Sequence, residues 1–122
     1  MRRILIVDDD WAMLELMKLV IPSNQFDVVL ASTKEEFFAA VQKGKPDLIL
    51  LDIVLGEDDG VEVYETMLRD GLLPEKTPVI FISGLAKGLT PKPPQPGRTY
   101  ALIPKPFNTD ELLRSIQYLS AD

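Results

Sequence analysis

Five short apolar runs punctuate the chain: Ile4-Leu5-Ile6-Val7, Val28-Val29-Leu30-Ala31, Leu48-Ile49-Leu50-Leu51, Val79-Ile80-Phe81-Ile82 and Tyr100-Ala101-Leu102-Ile103. Each is read as a short strand; Leu48 to Leu51, four aliphatics too few for a helix of their own, suits a strand covered on both faces in the middle of a parallel sheet. Between them apolar residues recur at helical spacing. Met13, Leu14, Leu16, Met17 and Val20 form one such set, and Phe37, Phe38 and Val41 a second. Val61, Tyr64, Met67 and Leu68 form a third, and Leu112, Leu113, Ile116 and Leu119 a fourth. Strands alternating with amphipathic helices indicate βα units and a parallel sheet.

The punctuation agrees with this reading. One aspartate of Asp8-Asp9-Asp10 can cap the first helix, and the others favour its positive end. Pro22-Ser23-Asn24 ends that helix. Thr33-Lys34-Glu35-Glu36 fits a capping box for the second, which Gly44 and Pro46 close. Asp59-Gly60 turns into the third helix, with Gly71 near its end, and Asn108 or Thr109 caps the last. Pro104 cannot donate to a ladder, which places the fifth strand at a sheet edge. From Leu85 to Arg98 the regularity breaks: prolines 91, 93, 94 and 96 exclude a helix interior and predict an extended or mobile loop. A fourth helix there is short or missing, at most 85–89.

Composition narrows the function. A chain of 122 residues, 46% hydrophobic, suits one domain with a real core. Met1-Arg2-Arg3 leads into only four apolar residues, unlike a signal peptide, and no run approaches the roughly 18–20 residues of a membrane span. Without cysteine there is neither a disulfide framework nor a thiolate metal site, so a cytoplasmic location is expected. A net charge of −6 argues against nucleic acid as a partner. The absence of histidine removes the commonest general base and the serine–histidine and cysteine–histidine hydrolases. Chemistry must run on carboxylates, lysine, hydroxyls and a borrowed metal.

Such groups stand where the strands end: Asp8-Asp9 after the first, Asp52 after the third, Ser83 after the fourth and Lys105 after the fifth. In a parallel sheet these ends share one rim, where open α/β sheets place their chemistry. Clustered carboxylates repel one another and call for a cation. Oxygen-only ligands point to Mg²⁺, which bridges carboxylate to phosphate, and a hydroxyl and an ammonium could hold further phosphoryl oxygens.

The ordered set, together with Asp59-Gly60, Ser83-Gly84 and Lys105-Pro106-Phe107, resembles the two-component response-regulator receiver domain (CheY-like) over the whole chain. The resemblance implies a flavodoxin-like, doubly wound five-stranded parallel sheet of order 2-1-3-4-5, with 1–122 as a single receiver domain lacking an output domain. Asp52 would be the phosphoacceptor, supplied by a sensor histidine kinase or histidine phosphotransfer protein. Asp9 would hold Mg²⁺ directly, Asp8 through water, and Asp52 and the backbone carbonyl of Val54 would complete the protein ligands. Lys105 would pair with the carboxylate and later the phosphoryl group, and Ser83 would move its hydroxyl towards it. Such a protein is no enzyme beyond its own phosphoryl transfer and slow autodephosphorylation, and it informs an unidentified protein target.

Three positions depart from the family pattern. Leu102 stands where an aromatic is usual, Gly56 where a proline is common, and the Pro-rich 89–97 segment replaces much of the fourth helix. A switch that orders or relocates 85–99, changing partner binding through 85–102, is therefore expected instead of an aromatic flip. Trp11 is read as a rim residue able to contact a kinase. The main alternative is a pseudo-receiver, the same fold used as a phosphorylation-independent binding module. A haloacid-dehalogenase-like phosphatase is disfavoured by Ala12 and the lack of a cap domain. A flavodoxin is disfavoured because aspartates follow the first strand where a phosphate loop would be needed.

Overall fold

A computed structural model describes residues 2–74, 76–84 and 100–120. Five parallel strands form the central sheet: β1 (Arg2–Val7), β2 (Phe26–Ala31), β3 (Leu48–Asp52), β6 (Val79–Gly84) and β7 (Tyr100–Lys105). Their order is β2-β1-β3-β6-β7, the flavodoxin-like arrangement. Four helices are described: α1 (Trp11–Val20), α2 (Lys34–Lys43), α3 (Gly60–Arg69) and α4 (Thr109–Ser120). The region expected to carry the short or missing fourth helix lies outside the described residues. Between β3 and α3 two short strands, β4 (Val54–Leu55) and β5 (Asp58–Asp59), pair antiparallel.

The apolar runs split by parity into two core layers, because successive strand side chains point to opposite faces. Leu5, Val7, Ile49, Leu51, Val79 and Phe81 pack with Phe37, Val41, Tyr64 and Met67 of α2 and α3. Ile4, Ile6, Leu48, Leu50, Ile80 and Ile82 pack with Leu14, Met17, Leu112 and Ile116 of α1 and α4. All five residues of β3 are buried, as expected for the middle of the sheet. Burying one such aliphatic side chain contributes about 1.5–3 kcal/mol. In the first layer the Tyr64 and Phe81 rings meet edge to face at 5.8 Å. The Tyr64 hydroxyl donates to the Thr77 carbonyl at 2.8 Å, so the buried phenol is satisfied.

Helix ends follow local chemistry. Asp10 is the aspartate that caps α1, accepting from the amides of Ala12 and Met13. Thr33 caps α2, but Glu36 reaches one residue further back than a capping box requires, accepting from the amide and hydroxyl of Ser32. At the end of α3, Gly71 takes φ +75°. Its amide donates to Leu68 and that of Leu72 to Met67, the paired bonds of a Schellman stop. Asn108 caps α4 through the amide of Glu111. Leu16 departs from its expected inward place. Leu14 and Met17 set the buried stripe of α1, and Leu16 is rotated about 100° from Met17, leaving it exposed.

Pro104 lies in β7, the outer strand, opposite Ser83 of β6, so the edge placement read from its missing donor is the observed one. The strand runs through Lys105, two residues beyond the apolar run that announced it.

Candidate functional site

At the C-terminal rim of the sheet, three consecutive aspartates take three different positions. Asp8 is fully buried at the end of β1, Asp9 is exposed, and Asp10 caps α1. Asp52 is buried as the last residue of β3, held there because Leu48 to Leu51 anchor the strand on both faces. Carboxylate oxygens of Asp8, Asp9 and Asp52 lie within 4.8 Å of one another.

Lys105 brings the opposite charge to this cluster. Its Nζ stands 3.0 Å from Asp52 Oδ2 and 3.1 Å from Asp8 Oδ2, with the side chain 23% exposed. Burial opposes a charge on Lys105, but the hydrogen bonds and charges of Asp52 and Asp8 outweigh it and hold the ammonium above its ordinary range. Burial raises the Asp8 carboxyl to about 6; the Asp10 amide opposes the rise, the charge of Asp52 adds to it, and Lys105 offsets part of it. One ammonium does not balance three carboxylates.

An oxygen-only cluster with excess negative charge is the donor set that suits Mg²⁺. Asp8, Asp9 and Asp52 are the side chains that would hold it. Val54, the backbone carbonyl proposed as a ligand, lies beside them, and its amide donates to Asp52 Oδ1 at 3.0 Å. Ser83 is buried near the end of β6, one residue beyond the partner of Asp52 in the ladder. Asp8, Asp9, Asp52 and Lys105 therefore meet directly, and Ser83 occupies the adjoining strand end.

Two glycines at the site were not singled out for chemistry by sequence. Gly56 takes φ +62° at the first turn position of the β4–β5 hairpin, and its amide donates to Asp9 Oδ2 at 3.1 Å. A proline there, the common family residue, could make no such bond. Gly60 opens α3 against the backbone of Asp52. The signal for both was the acidic and glycine stretch after Asp52, whose turn was visible but whose contacts were not. A cleft of about 980 Å³, lined among others by Leu19, Ile21, Phe26 and Leu30, contains none of the candidate residues. No helix among the described residues is long and apolar enough to cross a membrane.

Comparison with known proteins gives the same answer as the geometry. The chain is 35% identical to the alkaline phosphatase synthesis transcriptional regulatory protein PhoP of Bacillus subtilis over 72 residues, which is 59% of this chain and 30% of that one. It is 29% identical over 122 residues to the DNA-binding response regulator MtrA of Mycobacterium tuberculosis, covering 95% of this chain and 49% of that one. The chain thus spans about half the length of this relative, and less of the first. A CheY-like receiver domain protein of Methanospirillum hungatei superposes with a TM-score of 0.78 at 26% identity, covering 98% of this chain and 94% of that chain. The signal receiver domain of a Bacteroides fragilis response regulator shares the fold at 20% identity, with a TM-score of 0.80 and coverage of 100% and 98%. The family of response regulator receiver domains matches residues 4–117. With the sheet order, the acidic cluster and this match in agreement, the chain belongs to the response regulator receiver domain family.

Proposed function

We propose that the chain accepts a phosphoryl group on Asp52 from a sensor histidine kinase or histidine phosphotransfer protein and so switches its binding to a protein target. The observation that carries this reading is the meeting of Asp52 with Lys105 and the acidic pair on one rim. An Asp52 oxygen forms the O–P bond as the N–P bond of the donor's phosphohistidine breaks and the imidazole leaves. When bound, Mg²⁺ supplies neutralisation of the phosphoryl oxygens. Asp9, Asp52 and the Val54 carbonyl would hold it directly and Asp8 through water. Lys105 pairs with the Asp52 carboxylate and then follows the new phosphoryl oxygens, and Ser83 offers them its hydroxyl. Beyond this self-directed transfer and a slow loss of the group, no catalysis is assigned. The chain acts in the cytoplasm, where its donors present phosphohistidine, and nucleic acid is not a direct partner of this domain.

Incubation with a small phosphodonor and Mg²⁺ followed by intact mass tests the reading. One added phosphoryl group in wild type and none in Asp52→Ala is the expected result. An unmodified wild type leaves the phosphorylation-independent binding module as the answer. The switch is proposed to run through 85–102, of which 85–99 lie outside the described residues. Hydrogen exchange in that segment should change on adding Mg²⁺ and beryllium fluoride, and an unchanged pattern rejects it.

A further inference from the structure

Each of the three clustered carboxylates accepts a main-chain N–H, and the donors come from different places. The Asp10 amide holds Asp8 Oδ1 at 2.9 Å, and the Val54 amide holds Asp52 Oδ1 at 3.0 Å. Both donors lie two residues on, so Asp8 and Asp52 are oriented by their own turns. Asp9 is exposed, and the donor to its Oδ2 is the amide of Gly56, 47 residues away and 3.1 Å distant. Gly56 presents that amide at φ +62°, a backbone conformation that strains any L side chain. The hairpin around it is itself pinned. Val54 pairs with Asp59 and Leu55 with Asp58, Asp58 meets Lys34 at 3.6 Å, and Asp59 caps α3.

We propose that Gly56 is a positioning residue: its N–H fixes one oxygen of Asp9 and so aims the other, and binding of a divalent cation depends on that bond. The proposal rests on the reading of Asp9 as a metal ligand. Without the bond, an exposed aspartate must be ordered at the moment of binding, which costs side-chain entropy. Hydrogen-bond partners of metal-ligating groups are typically worth about 10–100-fold in affinity.

The test is Mg²⁺ affinity by calorimetry, with the fluorescence of Trp11, the single tryptophan, as a second readout. Gly56→Pro removes the donor and, with its ring fixing a negative φ, strains the turn as well, whereas Gly56→Ala strains the turn but keeps the donor. Gly56→Pro should bind Mg²⁺ about tenfold more weakly. Gly56→Ala should lose stability but keep nearly wild-type affinity. In an Asp9→Ala background Gly56→Pro should cause no further loss. In metal-free protein the Gly56 amide proton, drawn downfield by its charge-assisted bond, should move upfield in Asp9→Ala. That spectroscopic arm decides the contact even where Gly56→Pro does not fold. Wild-type affinity in Gly56→Pro, equal losses in both Gly56 variants, a full loss in the Asp9→Ala background, or an unmoved amide each overturns the proposal. Mg²⁺ binding that survives Asp9→Ala intact overturns the metal-ligand reading itself, and the role of Gly56 with it.

Discussion

A Cβ on Gly60 would overlap the main-chain oxygen of Asp52 and crowd the Cα of Ile53. The Gly60 amide already donates to the Ile53 carbonyl at 2.6 Å. The first residue of α3 therefore rests directly on the backbone that carries Asp52, and an added methyl meets main chain that cannot turn aside. Gly60→Ala should destabilise the fold by about 1–3 kcal/mol, as overpacked sites do. It should also slow phosphorylation, because Asp52 moves with its backbone. Urea denaturation and the rate with a small phosphodonor check this, and a variant equal to wild type in both refutes the contact.

Lys105 is the counter-charge of two buried carboxylates. Lys105→Met leaves Asp8 and Asp52 facing each other uncompensated, at a cost of about 2 kcal/mol at pH 7.5. That is less than the roughly 3–5 kcal/mol of a fully buried broken pair, because the lysine is 23% exposed. At pH 5, where Asp8 keeps its proton, the cost should shrink. A deficit that is the same at both pH values counts against the pairing.

Asp8 makes metal-free stability depend on pH. Its folded value of about 6, raised chiefly by burial, exceeds the 3.8 of an ordinary aspartate. Between those limits the folded chain holds a proton that the unfolded chain has released, so stability falls as pH rises. Asp8 thus favours folding fully below about pH 4, and the advantage is gone once pH passes about 6. The loss is on the order of 2–3 kcal/mol. Denaturation midpoints in EDTA should fall more steeply from pH 4.5 to 6.5 in wild type than in Asp8→Asn. Parallel curves reject the shift. Mg²⁺ needs the ionised carboxylate, so its affinity should climb with pH and level off above about pH 6.

The lifetime of the phosphoryl group is set by what can hold an attacking water. Two residues after Asp52 stands Val54, half-buried and apolar, and two after Ser83 stands Leu85, outside the described residues. Neither side chain can orient water, so the phosphorylated form should persist. Val54→Asn or Leu85→Glu should shorten its half-life severalfold, measured by intact mass over time after the donor is removed. A longer half-life in either variant refutes the assignment.

The sheet was legible because each of its strands carries an unbroken run of four apolar residues or more, and Pro104 marked the edge correctly from a single missing N–H. The rim residues were legible because strand ends are where the apolar pattern stops. What escaped sequence reasoning was either very short or non-local. Two-residue strands such as β4 and β5 have no periodicity to detect. The bond from Gly56 to Asp9 joins positions 47 residues apart, and no local rule reaches that far. Which of Asp8-Asp9-Asp10 caps α1 was left open, because a run of identical residues does not say which one turns back onto the helix end. Leu16 was misplaced for a simpler reason: eight of the ten residues of α1 are apolar, too many for one helical stripe, and the narrower pair Leu14 and Met17 fills it.

Lys105 also has a mechanical meaning. It belongs to the marginal strand of the sheet, yet its ammonium rests on Asp52, two strands inward, with β6 between them. At roughly 4.8 Å per strand, the two backbones stand about 10 Å apart, a gap that the lysine and aspartate side chains span together. Lys105 is a guy-rope from the centre of the sheet to its rim. A phosphoryl group arriving on Asp52 would change the tension on β7, where Leu102 is exposed, without displacing the strand in between. A chain with leucine in the customary aromatic position would then still have a way to feel, at its edge, what has happened in its middle.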